Sequence, residues 1–139
     1  MLDECTFCKI VGKEKQAYFV YEDEICVAFL DAYPVNPGHT LIVPRKHYEN
    51  IYDIPEDTLA HIMTICKKVA IDYQEIFHPI GLNIIQSNGT AAQQTVFHFH
   101  LHMIPRYQND GLALFSHHLA RTNSGLLDTY QKIMAFLKS

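Results

Sequence analysis

A chain of 139 residues, 48% hydrophobic and 19% charged, is long enough for one ordinary core and is expected to form one domain, residues 1–139. Its net charge of −4, with no basic run longer than Arg45-Lys46-His47, argues against a nucleic-acid partner. No apolar run approaches the roughly 18 residues needed to span a bilayer, and the opening "MLDECTFCKIV" lacks a signal-peptide pattern, so a cytoplasmic protein without membrane or disulfide chemistry is expected.

In chain order, residues 7–14 predict a short helix ending near Gly12. Residues 17–31 predict two strands around the acidic turn Glu22–Glu24. "YPVNPG" (33–38) is a loop, because two prolines and a glycine interrupt any regular element. Residues 39–44 predict a short buried strand. Residues 54–77 carry Leu59, Ile62, Met63, Cys66, Val69, Ala70, Tyr73 and Ile76 at helical spacing, with Pro55 and acids in the first turn. A strand is expected at 81–87, a loop at 88–94, a strand at 95–104, and a terminal helix at 124–139 with a serine at its start. Strands, one inserted long helix and further strands imply an α+β fold with a mostly antiparallel sheet.

The chemistry concentrates in "TVFHFHLHMIPR" (95–106). Side chains alternate faces along a strand. Phe97, Phe99, Leu101 and Met103 are therefore expected to face the core, and His98, His100 and His102 to share the opposite face over about 13 Å. Three readings compete: a half-exposed strand, a metal site using all three imidazoles, and catalysis. Catalysis is favoured, since a neutral imidazole is a nucleophile near pH 7 while its neighbour can serve as an acid. Cys5 and Cys8 form a Cys-x-x-Cys pair without the preceding strand of a thioredoxin-like motif. They are either buried bystanders or half of a metal site. Cys26 and Cys66 read as core, and His61, His78, His117 and His118 as solvated surface.

"HFHLH" followed by "MIP" resembles the signature of the histidine-triad (HIT) nucleotide-binding proteins, and "YEDEICVAFLDAYPVNPGHTLIVPRKH" (21–47) and "NGTAAQQTVFH" (88–98) are similar to two further blocks of that family. The resemblance covers roughly residues 5–106. It implies a HIT-like fold, a five-stranded antiparallel sheet with one long and one C-terminal helix, the sheet continuing across a homodimer. It further implies that His100 attacks the α-phosphorus of a nucleotide, giving a nucleotidyl-histidine that water hydrolyses. His102 would bind the phosphate and help protonate the leaving group, with His39 beside it. Gln94 and Thr95 would donate to phosphate oxygens, Asp31 would accept the ribose hydroxyls, and Asn88 would lie near ribose or phosphate. Phe7, Ile10, Phe29 and Leu41 would line the base pocket, although residues of this kind are equally core formers. By the same resemblance Cys5, Cys8, His47 and His98 would hold a structural Zn²⁺.

The function so implied is hydrolysis or transfer on nucleoside 5′-phosphoramidates (AMP- or GMP-type). Dinucleoside polyphosphate hydrolysis and a nucleotide-sensing or protein-interaction role are the alternatives. Two departures stand out. Lys15-Gln16 replaces the family's Ile-Pro beside the base pocket, and Gln93 replaces a glycine before the triad.

Overall fold

The computed structural model describes residues 4–113 and 124–138. Five strands make one antiparallel sheet: β1 (Phe19–Glu22), β2 (Cys26–Leu30), β3 (Thr40–Pro44), β4 (Gly81–Gln86) and β5 (Leu101–Arg106), in the spatial order β1-β2-β3-β5-β4. Helix α1 spans Thr6–Val11, α2 Glu56–Phe77 and α3 Leu126–Lys138. The expected α+β architecture is the observed one. α3 starts two residues later than the sequence suggested: Gly125, not Ser124, precedes it, and the Gly125 carbonyl accepts the Thr129 N–H and hydroxyl, both at 3.0 Å.

The sheet is covered on both faces, which is why β2 and β3 read as continuous apolar runs rather than alternating ones. On one face Ile62, Ile65, Cys66, Val69 and Tyr73 of α2 pack on Ala28, Ile42, Leu101 and Met103. On the other, Phe7 and Ile10 of α1 pack on Val27, Phe29, Leu41 and Val43. Met63 and Ile76, expected inside, lie on the exposed side of α2. Both flank the true stripe by one position, where the helical period and the apolar pattern part.

The hairpin turn between β1 and β2 is built on Asp23. Its Oδ1 accepts the N–H groups of Ile25 and Cys26 at 2.8 Å, and its Oδ2 accepts Tyr21 Oη–H at 2.7 Å and His61 Nε2 at 2.6 Å. His61 therefore joins α2 to the turn instead of standing in solvent. His78 is exposed as expected, in the left-handed conformation that ends α2. His117 and His118 lie outside the described residues.

β5 begins at Leu101, not at 95. Extending its register with β3 would set Phe99 opposite Pro44. A proline has no N–H to donate to a ladder. The Phe99 N–H bonds the Tyr48 carbonyl instead, and the Pro44 carbonyl takes a histidine side chain. Phe97, expected in the core, is consequently 42% exposed, whereas Phe99, Leu101 and Met103 are buried. The alternation of faces survives only from residue 98 onward.

Candidate active site

His98, His100 and His102 lie on the α1 side of the sheet. They form a gradient of access: His98 is 0% exposed, His100 5%, and His102 is half-buried. Across the sheet His102 sits level with Leu41 of β3 and Ile85 of β4, and Leu41 with Phe29 of β2. The His100 and His102 rings approach to 4.9 Å.

Main-chain groups decide where each imidazole proton sits. His100 Nδ1 lies 2.8 Å from the His98 carbonyl. A carbonyl only accepts, so Nδ1 carries the hydrogen and Nε2 presents a lone pair. His39 Nδ1 accepts the Val35 N–H at 3.2 Å, so its hydrogen is on Nε2, 2.9 Å from His102 Nδ1. His102 Nδ1 must then accept, and its own hydrogen is on Nε2. Asp31 Oδ2 stands 3.4 Å from His39 Nε2, and Asp31 Oδ1 accepts the Tyr33 N–H. Burial, the largest cause in each case, lowers the pKa of His39, His100 and His102 below that of an ordinary imidazole, His102 to about 4 with help from His100 and His39. The cluster is uncharged at neutral pH. That is the state a nitrogen nucleophile requires.

A second cluster backs the first. The His98 ring donates Nε2–H to the Pro44 carbonyl at 2.9 Å, leaving Nδ1 bare at 3.4 Å from Cys5 Sγ and 3.5 Å from Cys8 Sγ. Cys8 Sγ lies 3.3 Å from His47 Nδ1. All four donor atoms fall within 4.8 Å of one another. A tetrahedral zinc with Zn–S of about 2.3 Å and Zn–N of about 2.0 Å has sulfur–nitrogen edges of about 3.5 Å. The residues present fit such an ion, and the Pro44 carbonyl supplies the outer partner that fixes a ligating histidine. With the thiols protonated, burial and then the neighbouring Cys5 push Cys8 up to about 11.

The domain model that describes the HIT domain matches residues 12–109. The chain belongs to the HIT family. A HIT-family structure from Bacillus subtilis superimposes with a TM-score of 0.84 at 37% identity, covering 95% of this chain and 96% of that one. A zinc-bound histidine-triad protein from Mycobacterium smegmatis gives a TM-score of 0.77 at 34% identity, each chain covered completely. A relative named adenylylsulfatase HINT3, from Arabidopsis thaliana, is 37% identical over 113 residues, 79% of this chain and 56% of that protein.

In this HIT-family chain the remaining expected residues divide. Phe7, Ile10, Phe29 and Leu41 pack together as the second core cluster, with Phe7 edge-on to His100 at 5.0 Å. All four are buried, with Leu41 and then Phe29 level with His102 across the sheet. Gln94 departs from its expected role. It is 3% exposed, its Oε1 accepts the Gly89 N–H, and its Nε2 donates to the carbonyls of Glu49 and Val96. Every polar atom of that side chain already braces the loop, which leaves no hydrogen for a phosphate oxygen. Asn88 is similarly engaged with Gln86 and the Ile51 N–H. Thr95 is exposed and lines a depression of about 350 Å³ with Cys5, His47 and Glu49, on the cysteine side. Gln93 occupies the left-handed region at φ 69°, so the glycine it replaces is missed for its backbone. Lys15 and Gln16 are exposed beyond α1. Sequence reading missed Val35 and Pro44, whose contributions are backbone atoms and leave no mark in residue type.

Proposed function

We propose that this protein is a nucleotidyl hydrolase or transferase of the phosphoramidase kind, with His100 as nucleophile. The observation that carries the reading is the His100 Nδ1 to His98 carbonyl bond of 2.8 Å, which holds a neutral imidazole with its Nε2 lone pair free. In the first half-reaction Nε2 forms a bond to the α-phosphorus while the bond from phosphorus to the leaving nitrogen breaks. The departing amine takes a proton. His102 is neutral at rest, so it acts as the acid after taking up a proton with the anionic substrate, passing that proton from Nε2 to the leaving nitrogen as it returns to neutral. Water then attacks the same phosphorus, the Nε2–P bond breaks, and the proton released by water recharges His102. Acid help of this kind is worth roughly 10²–10⁴-fold. Asp31, half-buried beside His39, is the carboxylate available to ribose hydroxyls.

A second substrate class follows from the relative named adenylylsulfatase: an adenylyl sulfate carries the same α-phosphorus with sulfate as the leaving group. Zinc bound by Cys5, Cys8, His47 and His98 would act structurally, since four protein ligands leave no position for substrate. The same reading includes a homodimer. β4 is an outer strand with Ile84 exposed, and Ile71 and Ile80 beside it are exposed as well, an apolar edge suited to a second copy. No helix among the described residues is long and apolar enough to cross a membrane, in keeping with a cytoplasmic nucleotide enzyme.

The test is to offer adenosine phosphoramidate and adenylyl sulfate separately and to quench early for mass spectrometry. AMP release and an adenylyl adduct on His100, both lost in His100→Ala, are expected. Undiminished turnover by His100→Ala would refute the assignment.

A further inference from the structure

The loop at residues 33–38 is fastened at several points to the end of β5 and the segment that follows it. Asn36, buried at 8% exposure, donates from Nδ2 to the Pro105 carbonyl at 2.9 Å and to Asp110 Oδ2 at 3.0 Å. Asp110 in turn accepts Arg106 Nε at 2.8 Å and Nη2 at 2.9 Å and the N–H groups of Tyr107 and Leu112. Arg106 also donates to Asn83 Oδ1 and to the Leu112 carbonyl. Tyr107 Oη–H donates to the Pro37 carbonyl at 2.8 Å. Gly38, at φ +90°, lies so close to Pro105 and Phe77 that a Cβ would stand 3.0 Å from the proline ring. Five donors on one carboxylate, a buried amide and a glycine contact are more fastening than a surface loop needs for its own sake.

This loop delivers two main-chain contacts to the active site, and a third lies beside them. The Val35 N–H occupies His39 Nδ1. The Asn36 carbonyl accepts the His39 N–H at 3.1 Å, and the His39 carbonyl accepts the Asp31 N–H at 3.0 Å. A backbone N–H can only donate, so its presence at Nδ1 excludes the Nδ1–H tautomer of His39. The hydrogen is driven to Nε2, which faces His102 Nδ1 at 2.9 Å, and the hydrogen of His102 is driven in the same way to the Nε2 that faces substrate.

We propose that Asn36 and Asp110 are positioning residues that set the proton on His102: by clamping the 33–38 loop they hold the Val35 N–H against His39, and the tautomer so selected is relayed one ring further. Neither side chain meets substrate. Asp110 falls just outside the matched domain, which ends at 109, and Asn36 lies inside it among loop residues with no chemistry of their own. The proposal rests on the catalytic reading of His102 but concerns the resting protein, and it can fail alone.

The experiment is a two-bond ¹H–¹⁵N imidazole spectrum of the unliganded protein, which distinguishes protonated from bare nitrogens in each ring. His39→Gln and His102→Gln assign the two rings. Parent protein is expected to show Nε2–H with bare Nδ1 at both His39 and His102. Asn36→Ala is expected to give a mixture of the two tautomers at His39, with kcat on adenosine phosphoramidate reduced at least fivefold and KM within twofold of the parent. Tyr107→Phe, which removes one peripheral tie, is expected to move the same signals by less. If Asn36→Ala does not fold, Tyr107→Phe decides. A parental His39 tautomer in whichever folded variant is read, or Nδ1–H at His39 in the parent, overturns the clamp. Because the spectrum needs no turnover, that result is distinct from failure of the nucleophile test with His100→Ala.

Discussion

His102→Gln gives a stability experiment whose size can be worked out in advance. The folded protein holds His102 at about 4, lowered first by burial and then by the His100 and His39 rings, whereas the same group unfolded titrates near 6.5. A depressed histidine pKa means the unfolded chain binds the proton more readily. The associated stability is therefore full above pH 6.5 and disappears as the pH falls toward 4. The difference corresponds to about 3 kcal/mol, and the partial exposure of the ring reduces a realistic figure to about 2 kcal/mol. Glutamine can occupy similar space, donate one hydrogen bond and never titrate in this range. The assay is urea unfolding of parent and variant at pH 7.5, 6.5, 5.5 and 4.5. The parent is expected to lose the additional stability across that series, so that the gap between the two proteins narrows or reverses at low pH. A gap that stays constant from pH 7.5 to 4.5 would refute the argument that burial suppresses protonation at this ring.

Three other outcomes are expected. Gln93→Gly should raise stability by about 0.5–1 kcal/mol in urea unfolding, because residue 93 sits at φ 69°, a left-handed conformation costly for side chains and free for glycine. Asp23→Ala should cost about 2–4 kcal/mol by the same measurement, since it leaves two backbone N–H groups, the Tyr21 hydroxyl and the His61 ring without their shared acceptor; His61→Ala, which removes one of the four, should cost less. Cys5→Ser with Cys8→Ser should abolish stoichiometric zinc in elemental analysis of the purified protein and lower its melting temperature. Unchanged zinc would remove that site.

The parts of this molecule legible in the sequence are those carried by periodicity or by chemically rare residues. The α2 stripe, the two buried strands and the order of elements followed from apolar spacing, and the three alternating histidines marked the one wall where chemistry concentrates. The start of β5 was illegible because it depends on Pro44 in another strand, whose missing N–H interrupts the ladder only once the two are side by side. Phe97 was misplaced for the same reason. His61 was read as surface because its partner, Asp23, is 38 positions away. Gln94 stands as a phosphate donor by the family resemblance, but its hydrogens are spent on carbonyls of Glu49 and Val96, which no local pattern announces. The tautomers of His39 and His100 depend on backbone atoms, and backbone atoms are the same at every position of a sequence.

The gradient of access along the histidine row also fixes an order of arrival. A small electrophile coming from water meets His102 first, with its Nε2 unoccupied by any neighbouring protein group among the described residues. His100 is less exposed and His98 is sealed. Acylation needs a ring lone pair, which His102 carries only on the Nδ1 already taken by His39, so a histidine-acylating reagent should spare residue 102, mark residue 100 slowly at Nε2 and leave 98 untouched.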